Sequence, residues 1–181
     1  MATLILVVFG SNNVEATGSD PTFVGSYNTD GEARDVTILG NYAYVADAEN
    51  GLVIINIEDL ANPTFVGSYD TDDRAYGVAI SGNYAYVADG SNGLVIRNIE
   101  DRINITFVGN YNTTFSSPYR SASDVEISGN YAYVTKNDDG LIIVNIEDPA
   151  NPTVVGSYDV NTSNDVTILG NYAYVADAEN G

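Results

Sequence analysis

"GNYAYVADAENGLVIINIEDLANPTFVGSY" spans Gly40–Tyr69. In "NYAYVAD" (Asn41–Asp47), Tyr42, Tyr44 and Ala46 fall on one face of an extended chain, and Ala43 and Val45 on the other. "AENG" has turn chemistry. "GLVIINI" (Gly51–Ile57) is apolar on both faces, as a strand covered on both sides must be. "EDLANP" then leads into "PTFVGSY" (Pro63–Tyr69), and "DVTILG" (Asp35–Gly40) stands before the stretch. Strand length, turn residues and β-branched content predict four short strands per unit, with almost no helix.

The unit recurs. "GNYAYV" begins at Gly40, Gly82, Gly129 and Gly170, at spacings of 42, 47 and 41 residues. "TFVGSY" at Thr22 returns at Thr64, as "TFVGNY" at Thr106 and as "TVVGSY" at Thr153. Four strands in a unit of about 42 residues is the arithmetic of a β-propeller blade. A bulky tyrosine face opposite a small alanine/valine face suits sheets stacked on copies of themselves. The pairs Tyr42/Tyr44, Tyr84/Tyr86, Tyr131/Tyr133 and Tyr172/Tyr174 are therefore expected in inter-sheet packing, with an aromatic sugar platform as the other reading.

"GLVIINIEDLANPTFVGSY" and "GLIIVNIEDPANPTVVGSY", each preceded by "GNYAYVAD" or "GNYAYVTK", resemble LVIVP-type propeller repeats. The resemblance covers about 160 residues and implies an all-β propeller. It also implies a secreted or surface-displayed bacterial or archaeal protein, with no catalytic motif to transfer. WD40 repeats fit poorly, because the chain has no Trp and no His.

First strands begin at Asp35, Gly77, Asp124 and Asp165. The last unit carries its first two strands only. "PTFVGSY" at Pro21 reads as a fourth strand, and "TLILVV" (Thr3, Leu4, Ile5, Leu6, Val7, Val8) as a third. The expectation is a single domain over 1–181 holding about four blades. Residues 1–27 supply strands that complete the last blade; 28–69, 70–111 and 112–158 are blades, and 159–181 is a half blade. The two halves can join within one chain or by strand addition between chains, or the chain can be part of a larger propeller. Thr3–Val8 is read as a strand rather than a signal peptide, because no basic segment precedes it and the apolar run is short.

The chain of 181 residues has 25 acidic and 6 basic residues, a net charge of −19. No nucleic-acid partner is expected from such a surface, and no segment is long enough for membrane insertion. With no Cys and no His, thiolate, Ser-His-Asp and histidine-metal chemistry are excluded. The expectation is a non-catalytic extracellular or cell-surface protein, partnered by itself or by an extracellular protein or glycan.

The variable loops fall on one face of a propeller, where binding residues usually sit. Arg34, Asp35, Arg74, Arg120, Asp124 and Asp165 are expected to form a network around the channel mouth there. No cofactor and no metal site is assigned. Calcium is the cation with candidate ligands, at Asp70, Asp72 and Asp73 and at Asp138 and Asp139, though neither run is a full Asp-x-Asp-x-Asp-Gly loop. Asn104, Asn112 and Asn161 head N-x-[ST] sequons and are candidate glycosylation sites for an extracellular location.

Overall fold

Alternating strands and tight turns leave the chain little choice but antiparallel meanders. The computed structural model describes residues 3–8, 22–112, 121–137, 140–159 and 162–177, and among these there is no helix. The strands are β1 (Thr3–Val8), β2 (Thr22–Asn28), β3 (Asp35–Leu39), β4 (Tyr42–Ala46), β5 (Leu52–Asn56), β6 (Thr64–Tyr69), β7 (Gly77–Ser81), β8 (Tyr84–Ala88), β9 (Leu94–Asn98) and β10 (Thr106–Tyr111). They continue as β11 (Ala122–Ser128), β12 (Tyr131–Lys136), β13 (Gly140–Asn145), β14 (Thr153–Tyr158), β15 (Ser163–Leu169) and β16 (Tyr172–Asp177).

Three complete blades result, with orders β3-β4-β5-β6, β7-β8-β9-β10 and β11-β12-β13-β14. β1-β2 and β15-β16 are separate two-stranded sheets, and no ladder joins β1 to β16. The all-β propeller architecture is as the sequence predicts. The two half-blades are present, stacked on the first and third blades rather than merged with each other.

Each blade repeats the register of the last. β4 and β5 pair Ala46↔Leu52, Tyr44↔Ile54 and Tyr42↔Asn56. β5 and β6 pair Leu52↔Tyr69 and Ile54↔Gly67, then slip by one residue to Ile55↔Phe65. β1 and β2 reproduce that slip, with Leu4↔Tyr27 and Leu6↔Gly25 followed by Val7↔Phe23. The bulge carries its glycine to a fixed purpose. A Cβ on Gly25 would collide with the Leu60 carbonyl, on Gly67 with the Arg102 carbonyl, and on Gly109 with the Pro149 carbonyl. β2, β6 and β10 thus each lie against the third-to-fourth connection of the following blade, closer than any side chain permits.

The core is built between blades. Tyr44, Ala46, Leu52 and Ile54 of the first blade bury against Ala75, Val78, Ala85 and Val87 of the second. Tyr86, Ala88, Leu94 and Ile96 of the second bury against Val125, Ala132 and Val134 of the third. Bulky face meets small face at each step, so Tyr44 and Tyr86 serve packing and not a sugar platform. Tyr27 of β2 covers Ala43, Val45 and Val53, which fixes the first half-blade in the same stack.

Candidate functional site

Carboxylates on the loop face stitch neighbouring blades together. Asp47 accepts from Thr29 Oγ1 at 2.6 Å and from Asn50 Nδ2 at 2.9 Å. Asp89 repeats the pattern with Thr71 Oγ1 at 2.6 Å and Asn92 Nδ2 at 2.9 Å. In each case the Thr leaves the fourth strand of the preceding sheet, so a buried Asp clasps the blade before it. Burial pushes the Asp89 carboxyl up to about 6; Thr71 and Asn92 oppose the rise, Asp73 adds to it, and Arg97 opposes it.

Nearer the axis, Arg34, Asp35, Tyr76, Ser123, Asp124, Asn137, Asn164 and Asp165 line a cavity of about 450 Å³. The first strands converge there, which brings together residues far apart in sequence. Asp35 Oδ2 accepts from the Val78 amide at 2.8 Å, and Asp124 Oδ2 from the Val166 amide at 2.9 Å. Each aspartate pins the first strand of the next blade. Gly77 stands where a third would be, and a Cβ there would press on Asp124. Burial, a hydrogen bond to Asp165 and the Asp35 charge raise Asp124 to about 7, against the pull of its backbone donors. Burial, Asp35 and Asp165 also raise Glu126.

These shifts set a pH dependence. Asp89 and Asp124 hold their protons more tightly folded than unfolded, so their contribution is complete below about pH 4 and is lost as pH rises through about 6 and 7. Exposed Asp59, Asp101 and Asp148 are shifted down by asparagine side-chain bonds and act oppositely, weakening only as pH falls below about 4. Thermal scans should therefore show Tm falling by about 5 °C from about pH 5 to about pH 8. Asp124→Asn should flatten that fall, and an unchanged slope would remove Asp124 as its source.

Arg34 lines the axial cavity beside Asp35, Asp124 and Asp165, and Arg34 and Arg74 each have a glutamate partner. Arg34 pairs with Glu32 at 2.7 Å and lies 5.7 Å over the Tyr76 ring. Arg74 pairs with Glu49. Asp35, Asp124 and Asp165 meet at the axial cavity, whereas Arg120 lies outside the described residues. Asp70 accepts from the Asp72 amide at 3.2 Å, and Asp73 accepts from Ser91. Asp138 and Asp139 lie outside the described residues, and among those described no three acidic side chains gather as a metal would need. Asn104 and Asn112 are exposed, and the Asn104 amide donates to Asp101 at 2.8 Å; Asn161 lies outside the described residues.

The other conspicuous surface is at the two ends of the stack. Val155, Tyr158, Leu169, Tyr172 and Tyr174 expose large apolar side chains on β14, β15 and β16. Tyr174 is 53% exposed, whereas its counterpart Tyr44 is 0%. At the opposite end Val36 of β3 is 40% exposed, whereas its counterpart Val78 is 1%. A sequence reading that locates the split blade does not reveal these faces, since Tyr174 and Val36 are the same residue types at the same repeat positions as the buried Tyr44 and Val78.

The repeat unit and the stacked blades correspond to a known family. The LVIVD repeat matches residues 30–71, 73–113, 119–160 and 162–181. The chain belongs to the LVIVD repeat family. This is the family that the LVIVP-type resemblance indicates. No curated protein matches the LVIVD chain. Among solved structures, it is similar to a functionally unknown protein from Desulfotomaculum acetoxidans DSM 771, at 18% identity and a TM-score of 0.72, over 97% of this chain and 56% of that one. It is also similar to the computationally designed Ika8 protein, at 8% identity and a TM-score of 0.59, over 80% of this chain and 42% of that one. The chain thus spans little more than half the length of the first and less than half of the second, and the likeness concerns fold alone.

Proposed function

We propose that this LVIVD-repeat chain is a non-catalytic structural protein of the cell exterior that assembles with copies of itself through β1. One observation carries the reading: Tyr174 of β16 is exposed where Tyr44 and Tyr86 are buried, and Val155 and Tyr158 of β14 are exposed where Val66, Val108, Tyr69 and Tyr111 pack against a core. β3 exposes the complementary first-strand face at the other end. A contact between unlike ends is head-to-tail and builds a ring or a filament. The chemistry agrees with a structural role, because the chain has no His or Cys and the axial Asp35 and Asp124 each hold a backbone amide of the next blade. The resemblance to surface-displayed repeats supports an exterior location, with exposed Asn104 and Asn112 as the glycosylation candidates.

Light scattering with negative-stain imaging of residues 1–181 tests the proposal. Particles at multiples of the 19.3 kDa chain mass are expected. A monodisperse particle at one chain mass would sink it. That outcome favours the second reading, a glycan- or protein-binding module that uses the loop face. Its support is the axial cavity and a second cleft of about 360 Å³ lined by Tyr27, Asp30, Asn50 and Phe65.

A further inference from the structure

Gly156 of β14 occupies the position of Gly25, Gly67 and Gly109 in the other sheets. Those three are held to glycine by a carbonyl of the following blade. At Gly156 a Cβ would meet only Ile143 of its own blade, at 3.7 Å. Nothing among the described residues requires a glycine there. In the other sheets this glycine faces the blade that follows, so Gly156 marks the place where a following blade would sit.

β15-β16 has the pairing of a first and second strand, and β1-β2 that of a third and fourth with its bulge in place. The two half-blades lack what the other has, and they do not pair within the chain. Resting on the self-assembly reading above, we propose that the β14–β16 end takes the β1-β2 sheet of a second copy, in one register, and that Gly156 is the seat of the completed blade. β16 then pairs with the incoming β1 as β4 pairs with β5, giving Ala176↔Leu4, Tyr174↔Leu6 and Tyr172↔Val8. The exposed Val36 face of the second copy follows onto Tyr174, continuing the interface that buries Val78 against Tyr44. The register is the one that aligns the β1-β2 bulge with the β5-β6 bulge.

The absence of cysteine makes a clean test. The Asp47 amide bonds to the Gly51 carbonyl and the Ile57 amide to the Asn41 carbonyl, both at 2.8 Å. Ala46↔Leu52 is therefore a non-hydrogen-bonded pair, the close kind that a disulfide can bridge. Mixed under oxidation, Leu4→Cys and Ala176→Cys chains should give a disulfide dimer, and Leu4→Cys with Val175→Cys should not. Equal yields, no dimer, or a cross-link inside one chain carrying both Leu4→Cys and Ala176→Cys would overturn the register. Gly156→Val provides the second arm: Tm of the dilute chain unchanged, association weakened about tenfold or more. Association unaffected by Gly156→Val would overturn the seat. If light scattering shows assemblies while both arms fail, this inference falls and the self-assembly reading stands. If the chain is monomeric throughout, both fall.

Discussion

Tyr44→Ala lowers the unfolding free energy by about 3–5 kcal/mol, read from urea denaturation at constant protein concentration. Tyr44 is fully buried between the first and second blades, among Ile54, Val78 and Val87. Its removal leaves a cavity walled by two sheets that are each held by their own ladders, so neither can collapse inward cheaply. The hydroxyl is also in use, accepting from Arg102 Nε at 2.8 Å. The Arg102 guanidinium lies 4.3 Å over the Tyr42 ring, so the loss reaches the next blade's loop. Tyr44→Phe should lose about 1 kcal/mol, the hydrogen bond alone. Tyr174→Ala, the same residue on the uncovered end, should change the stability of the dilute chain by less than about 0.5 kcal/mol. Equal losses at Tyr44 and Tyr174 would show that inter-blade burial is not what the tyrosines supply.

Arg97→Ile raises stability by about 1–3 kcal/mol. Arg97 of β9 is 3% exposed, and its Nε and Nη1 have no hydrogen-bond partner among the described residues. The matching residues of the first and third blades are Ile55 and Val144, so the site is shaped for an aliphatic chain. The guanidinium is held between the Tyr69 ring at 3.7 Å and the Phe107 ring at 4.9 Å. Two cation–π contacts offset part of the cost of desolvating a charge, not the whole of it. Burial lowers the pKa of Arg97, while Tyr69, Asp72 and Asp89 draw it back up. Because Arg97 favours the ionised form of Asp89, the gain should be largest below about pH 6, where Asp89 is protonated. Denaturation curves at about pH 5 and about pH 8 check both the sign and the trend, and a loss of stability at both would refute the reading.

Much of this was legible in the sequence. "NYAYVAD" and "GLVIINI" announce two neighbouring strands through period-2 alternation and a turn between them, and the structure pairs them as β4 and β5. The inter-sheet role of Tyr44 and Tyr86 was legible in the contrast between the tyrosine and alanine faces. The candidate site was only partly so. Asp35, Asp124 and Asp165 were recognisable as first-strand residues near an axis, but their backbone partners, Val78 and Val166, belong to the following blade. Arg34 and Arg74 chose Glu32 and Glu49 because those carboxylates are exposed and within reach, whereas Asp35 and Asp124 are engaged by backbone amides. Arg97 gave no sign in sequence beyond standing where other repeats have Ile55 or Val144.

Strand boundaries, turn positions and the assignment of each face to packing were determined by the sequence itself, because they depend on neighbours within a few residues. The meeting of Asp124 with Asp165, the enclosure of Arg97 between two rings and the uncovered faces at Tyr174 and Val36 were decided only by the tertiary structure. Those features depend on how each blade sits on the next, across about 40 residues of chain. Near-identical repeats have the same local preferences, so only their place in the stack distinguishes a buried tyrosine from an exposed one.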